Sequence, residues 1–191
     1  MTDESHRLVL KDHAGFAALA ECAETHGWTS LGMLERDPGQ RVYRELAWSA
    51  GDDMTVHYVE DEFVDERFVF AKGGTAEARE TALSGVAGTV AVWSLDDLMY
   101  EVSAAAYPAG RARAVMRLGV GSPARAVEGV LTRIERASRD ADPRVRKCAV
   151  WAMGYADWPE YGPVLDRVAG DDVDPGIAHS ASLVRQGLGL S

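Results

Sequence analysis

Residues Asp140 to Gly154 read D-A-D-P-R-V-R-K-C-A-V-W-A-M-G, and this stretch decides the fold of half the chain. Asp142 is placed to cap a helix whose first position is Pro143. Proline is tolerated there because the N–H it lacks has no intrahelical acceptor. Val145, Ala149, Ala152 and Met153 fall on one helical face, and the small alanines permit a neighbouring helix to come close. Lys147, Trp151 and Tyr155 recur every fourth residue and share a different face. Gly154 and Tyr155 close the helix before Asp157.

The pattern recurs. In D-V-D-P-G-I-A-H-S-A-S-L-V-R, Asp174, Pro175, Ile177 and Ala181 follow Asp142, Pro143, Val145 and Ala149 by 32 positions. In P-A-G-R-A-R-A-V-M-R-L-G, Pro108, Arg111, Ala114, Val115, Leu118 and Gly119 precede Pro143, Arg146, Ala149, Val150, Met153 and Gly154 by 35 positions. This upstream copy lacks the Asp-x-Asp turn. Each copy follows a candidate first helix, at about 94–106, 124–139 and 159–169. Periods of roughly 30 to 47 residues are what two-helix repeats give. The Asp140–Gly154 stretch resembles the second helix of a HEAT repeat. The resemblance implies a stack of about three helical hairpins over 92–191. It also implies that Arg146 reaches back toward its acidic turn, and that the second helices line a concave partner-binding surface.

The preceding half follows different rules. Arg7 to Lys11 reads as a short strand, and Asp12 as the cap of a helix running through Thr25. After a loop containing Asp37-Pro38-Gly39 the period changes to two. Val42, Leu46 and Trp48 share one face of a strand, Met54, Val56 and Tyr58 one face of the next. Phe68 and Phe70 lie opposite Arg67 on a third. Polar turns separate the three, which gives an antiparallel meander ended by Gly73-Gly74. A helix over 75–87 and a strand over 89–93 follow, and Ser94 with Asp97 makes a capping-box-like start to the repeats. The expected fold class is α+β, with a small N-terminal α/β module over 1–91 and helical repeats over 92–191. No Pro/Gly/Ser linker separates the two.

Composition narrows function. With 191 residues, 47% of them hydrophobic, the chain has enough length and apolar content for a packed core. A net charge of −10 argues against broad contact with nucleic-acid phosphates. The only lysines are Lys11, Lys72 and Lys147; this arginine-rich, Ala/Gly/Val-rich composition is what a high-GC bacterial genome gives. Cys22 and Cys148 are read as reduced packing residues, consistent with a cytoplasmic protein. The polar N-terminus lacks a signal-peptide pattern. No apolar run approaches the roughly 18 residues needed to cross a membrane.

Neither a cofactor fingerprint nor a Cys/His metal cluster stands in the sequence, so no metal and no cofactor are expected. His57 lies on a strand near Glu60 and Glu62, where it reads either as an exposed strand histidine or as a base oriented by a carboxylate. Two surface sets qualify as binding candidates. One is Arg144, Lys147, Trp151, Tyr155 and Trp158, extended by His179 on the last helix; Met116 and Leu183 stand in register with Trp151. Trp, Tyr and Arg are favoured interface anchors. The other is an acidic run of Glu60, Asp61, Glu62, Asp65 and Glu66 around a hairpin turn, suited to a basic partner.

The leading expectation is a non-catalytic interaction module, in one form an acidic immunity or antitoxin-type protein with a basic protein partner. Self-association through the ends of the stack is a further expectation. A second expectation rests on resemblance to HEAT-like alkylpurine DNA glycosylases, with Trp151, Asp157, Trp158 and the arginines Arg111, Arg113, Arg117, Arg144 and Arg146 facing DNA. A third is a small-molecule enzyme with its site between the halves.

Overall fold

The computed structural model describes residues 4–34, 43–51 and 53–190. The expected turn residues Asp37-Pro38-Gly39, together with Val42 and Asp52, lie outside them. The class is α+β: an antiparallel sheet with helices precedes a run of helices. Packing divides the chain into two compact units, Met1–Trp93 and Ser94–Ser191.

In the first unit, β1 (Leu8–Val9), β2 (Thr29–Met33), β3 (Tyr43–Ser49), β4 (Met54–Asp61) and β5 (Glu66–Gly73) form one antiparallel sheet in the order β1-β5-β4-β3-β2. The β3–β4–β5 core is the meander that the period-two pattern describes. Trp48, Val56, Tyr58, Val69 and Ala71 face the helices α1 (Phe16–Thr25) and α2 (Ala76–Thr89). Leu19, Cys22, Ala23, Ala82, Leu83 and Val86 meet them there and complete a buried core. At the end of β5, Gly73 and Gly74 adopt φ of +76° and +57°, a region glycine enters without steric cost. A side chain at Gly73 would collide with the Asp53 carbonyl.

Two expectations for this unit are revised and one strand is added. Asp12 does not cap α1: its carbonyl accepts from Arg67 Nη2 at 2.6 Å, and the helix begins after Gly15 with no side-chain cap. The strand β2 was absent from the period-two reading. It lies at the sheet edge, is largely exposed, and slips register between Ser30 and Gly32, so it carries no alternation. The segment after α2 contributes a single bridge, Val92 to Leu10, because the helix itself continues to Thr89.

The second unit consists of three successive helix pairs. These are α3 (Leu95–Ala104) with α4 (Pro108–Val120), α5 (Glu128–Ala137) with α6 (Pro143–Ala156), and α7 (Gly162–Asp171) with α8 (Pro175–Gly187). The second helices α4, α6 and α8 pack side by side. The caps follow the expected chemistry. Ser94 Oγ accepts from Asp97 N at 3.1 Å, Asp142 Oδ1 from Arg144 N at 2.9 Å, and Asp174 Oδ1 from Gly176 N at 2.8 Å.

Two contacts repeat with the sequence period. Gly119 on α4 abuts Ala152 on α6, and Gly154 on α6 abuts Val184 on α8. Between the two pairings the first residues, Gly119 and Gly154, stand 35 apart and the second, Ala152 and Val184, 32 apart, the spacings found in the sequence. The second contact is an arginine ladder. Arg111 Nε lies 2.8 Å from Asp140 Oδ2 and Arg111 Nη1 3.4 Å from the Ala105 carbonyl. Arg146, at the equivalent position, donates through Nε and Nη2 to both Asp172 oxygens at 2.8 and 3.1 Å. Its Nη1 reaches the Asp140 and Ala141 carbonyls at 3.1 and 3.3 Å. The arginine therefore touches its own acidic turn through backbone carbonyls and spends its planar fork on the next turn. Ala105 stands where Asp140 recurs and Ala178 where Arg146 recurs, so the ladder starts and stops within three pairs.

Candidate functional site

The face carrying Lys147, Trp151 and Tyr155 lies opposite the core positions Val145, Ala149, Ala152 and Met153, all 0% exposed. Core packing of α6 thus fixes which way these side chains project. Lys147 is exposed, and Trp151 and Tyr155 are half-buried. On α8 the corresponding positions are His179, exposed, and Leu183, 46% exposed. The accessible strip spans α6 and α8: two partly covered aromatics and a leucine, flanked by a lysine and a histidine. It does not continue onto α4, where the equivalent of Trp151 is Met116, only 6% exposed.

Two members of the expected aromatic-basic set have other roles. Trp158 is a packing residue, only 2% exposed. Asp157 ends α6 with φ of 56°, in the left-handed region. The next side chain turns inward, stacks on Tyr161 at 5.8 Å, and donates Nε1–H to the Pro123 carbonyl at 2.9 Å. Arg144 is exposed, but its guanidinium closes on its own helix cap, with Nε and Nη2 at 3.0 and 2.7 Å from the Asp142 carboxylate. That contact holds the Asp142 carboxyl down at about 2.

The acidic hairpin is less open than the run of charges suggests. Glu60 accepts from the buried Tyr58 hydroxyl at 2.8 Å and lies 3.8 Å from Arg44. Asp61 Oδ1 accepts from Phe63 N at 2.9 Å, which shapes the turn. Glu66 is buried at 5% exposure, contrary to the expected exposed run. Glu62 and Asp65 are exposed.

Of the five arginines considered for DNA, Arg113 is exposed and the other four are engaged or buried. Arg111 and Arg146 form the ladder, Arg117 is buried and Arg144 serves the cap. A groove of about 460 Å³ beside α3 and α5 is lined by Arg111, Arg133 and Asp140. Arg111 and Asp140 belong to the ladder, and Arg133 donates to helix carbonyls, Nη1 to Gly129 at 2.8 Å and Nε to Met99 at 3.1 Å. Burial pushes the thiol of Cys148 up, and both cysteines are free.

The sequence places His57 on a strand, either as an exposed histidine or as a base oriented by a carboxylate, and the exposed reading does not hold. His57 is buried, and the carboxylate is Glu45 of β3 rather than Glu60 or Glu62. Strand alternation places Glu45 on the His57 face, but only the β3–β4 register brings the two together.

Among the described residues no helix is long and apolar enough to cross a membrane, and no group of three or more His, Cys, Asp or Glu is placed to hold a metal ion. No protein-family model, curated protein or solved structure matches this chain.

Proposed function

We propose that this chain is a protein-interaction module whose C-terminal unit is a short HEAT-like stack. The unit binds its partner through the α6–α8 strip. The observation that carries the reading is the contrast along the second helices. Trp151, Tyr155 and Leu183 retain solvent access on α6 and α8, flanked by Lys147 and His179, while the equivalent α4 positions are closed. Aromatic side chains held partly exposed on a rigid helix lose little entropy on binding and supply most of the energy at an interface. The periodic glycine contacts and the arginine ladder support the repeat assignment and the rigidity.

The net charge of −10 suits a basic partner, in the immunity or antitoxin manner, in a cytoplasmic setting. Charge of this kind accelerates encounter more than it deepens affinity. Affinity capture from the host lysate tests the reading, with the native chain and Trp151→Ala run side by side. The expected result is one stoichiometric basic protein, held by the native chain and weakened about tenfold or more by the substitution. A partner that binds the Trp151→Ala and Leu183→Ala variants with native affinity would move the interface elsewhere.

A further inference from the structure

The sheet face turned away from α1 and α2 carries an ordered group of three polar side chains. Alternation puts Thr55 and His57 of β4, Glu45, Ala47 and Ser49 of β3, and Phe70 and Lys72 of β5 on this face. Ala47 pairs with His57, and Glu45 with Val59 one pair further along. Ala47 is small, so Glu45 reaches the imidazole diagonally. Glu45 Oε1 lies 2.7 Å from His57 Nδ1, and Thr55 Oγ1 lies 2.7 Å from His57 Nε2. A carboxylate only accepts, so Nδ1 carries the hydrogen; Nε2 of the neutral ring then accepts from the Thr55 hydroxyl. Phe70 stacks on the ring at 4.7 Å and 12° and fixes its plane.

Burying an imidazole requires partners for both nitrogens. The partners here do more than satisfy it. In the neutral ring they favour one tautomer, whose lone pair faces a hydroxyl. Thr55 is half-buried, beside Ser49 and Lys72 in register, with exposed Thr29 beyond Ser49. Thr55 thus stands at a partly exposed end of the sheet while its base is buried. A hydroxyl bonded to a base that a third group orients is the arrangement that activates a nucleophile.

We propose that Thr55 is the nucleophile of an acyl-transfer site that acts on activated carboxylic esters, with His57 as its base and Glu45 as the positioning residue. Thr55 Oγ1 attacks the ester carbonyl carbon while its proton passes to Nε2. The carbonyl π pair moves to oxygen and returns as the alkoxide leaves, taking the proton from Nε2. Water, deprotonated by the same nitrogen, then attacks the acyl-threonine ester. It releases the acid and returns the proton to Thr55. Glu45 holds the tautomer and faces the imidazolium formed in each half. Lys72 is the cation nearest to Thr55 in register. Its 3.3 Å ion pair with Glu4 is half-exposed, the kind that holds weakly, so it can turn toward the carbonyl oxygen.

The test uses the purified full chain, a fluorophosphonate probe and p-nitrophenyl acetate. The expected results are a covalent adduct on the peptide 45–67 at Thr55 and hydrolysis above the buffer rate. Thr55→Ser retains both. Thr55→Val, close in shape, and His57→Gln lose the adduct and about 100-fold or more of the rate. Glu45→Gln lowers kcat with KM unchanged, a split that loss of packing alone does not produce. An unlabelled native chain that hydrolyses at the buffer rate overturns the proposal without recourse to any variant. So does a Thr55→Val chain that hydrolyses at the native rate.

Discussion

Replacing Gly119 by alanine places a methyl group where α4 meets α6. Its Cβ falls 2.5 Å from Ala152 Cβ and 2.6 Å from the Ala152 carbonyl oxygen, and it also collides with Ala152 Cα. Carbon atoms pack at about 3.5–4.0 Å, so the helices must part by about 1 Å. Two of the obstructing atoms are backbone, and rotamer changes cannot relieve them. Overpacking of this kind costs about 1–3 kcal/mol, and a backbone obstruction belongs at the top of that range. Alanine in place of glycine in a helix interior returns about 0.8–1 kcal/mol, which leaves a net loss of about 2 kcal/mol. Gly154 is the matched control on α6. Its Cβ would meet Val184 Cγ1 at 3.3 Å, a side-chain contact that can give by a few tenths of an ångström. The helix gain and that contact nearly cancel, within about 0.5 kcal/mol. Gly110 has nothing within 4 Å of its Cβ position, so Gly110→Ala stabilises by about 0.5 kcal/mol. Urea midpoints of the three single variants give the order Gly110→Ala, Gly154→Ala, Gly119→Ala from most to least stable. Gly119→Ala at or above the native midpoint would refute the close approach of α4 to α6.

The ladder gives a second set of outcomes. The Asp172 side chain is 4% exposed and that of Arg146 13%, so Arg146→Ala leaves a buried carboxylate unpaired and costs about 3 kcal/mol in urea unfolding. Arg146→Lys keeps the charge but loses one of two charge-assisted bonds, about 1.5 kcal/mol; a lysine variant as stable as the native chain would show that the fork is irrelevant. Hydrogen bonding to Arg144 and Arg146 lowers the Asp142 and Asp172 carboxyls from their ordinary values, Asp142 to about 2. Depressed folded-state values contribute stability above the unfolded value of about 3.9 and lose it as pH falls through the folded values. Midpoints should therefore drop between about pH 4 and about pH 2, less steeply in Asp172→Asn, and an unchanged acid profile in that variant counts against the assignment. Trp158→Phe keeps the ring in the core but leaves the Pro123 carbonyl without the indole donor, a loss of about 1 kcal/mol in the same assay.

The helical half was legible because its signals are local. The Asp-Pro starts, the apolar face of α6 and the Arg146 spacing all lie within one or two turns of each other, and parts of the set recur 35 positions upstream and 32 positions downstream. Recurrence turned weak cues into a register, and Gly119–Ala152 and Gly154–Val184 are that register in space. The role of Arg146 was half legible. Its own turn lies close in sequence, whereas Asp172 belongs to the next pair, which only stacking brings near. Trp158 was misplaced for a similar reason. Its spacing from Tyr155 suits a surface, but the left-handed Asp157 breaks the helical geometry that such spacing assumes.

The sheet half shows why alternation locates faces but not sites. Period two assigns Thr55 and His57 to one face and Val56 and Tyr58 to the other, as observed. It does not say which residue of a neighbouring strand stands beside His57. Glu60 and Glu62 were the near carboxylates in sequence, yet Glu60 is turned to Tyr58 on the opposite face and Glu62 lies in the hairpin turn. Glu45 is 12 residues away and becomes the partner through the register that pairs Ala47 with His57. A one-residue slip would send Glu45 to the other face and break the relay. The β3–β4 turn therefore sets more than the path of the chain: by fixing the register it decides which carboxylate the imidazole meets.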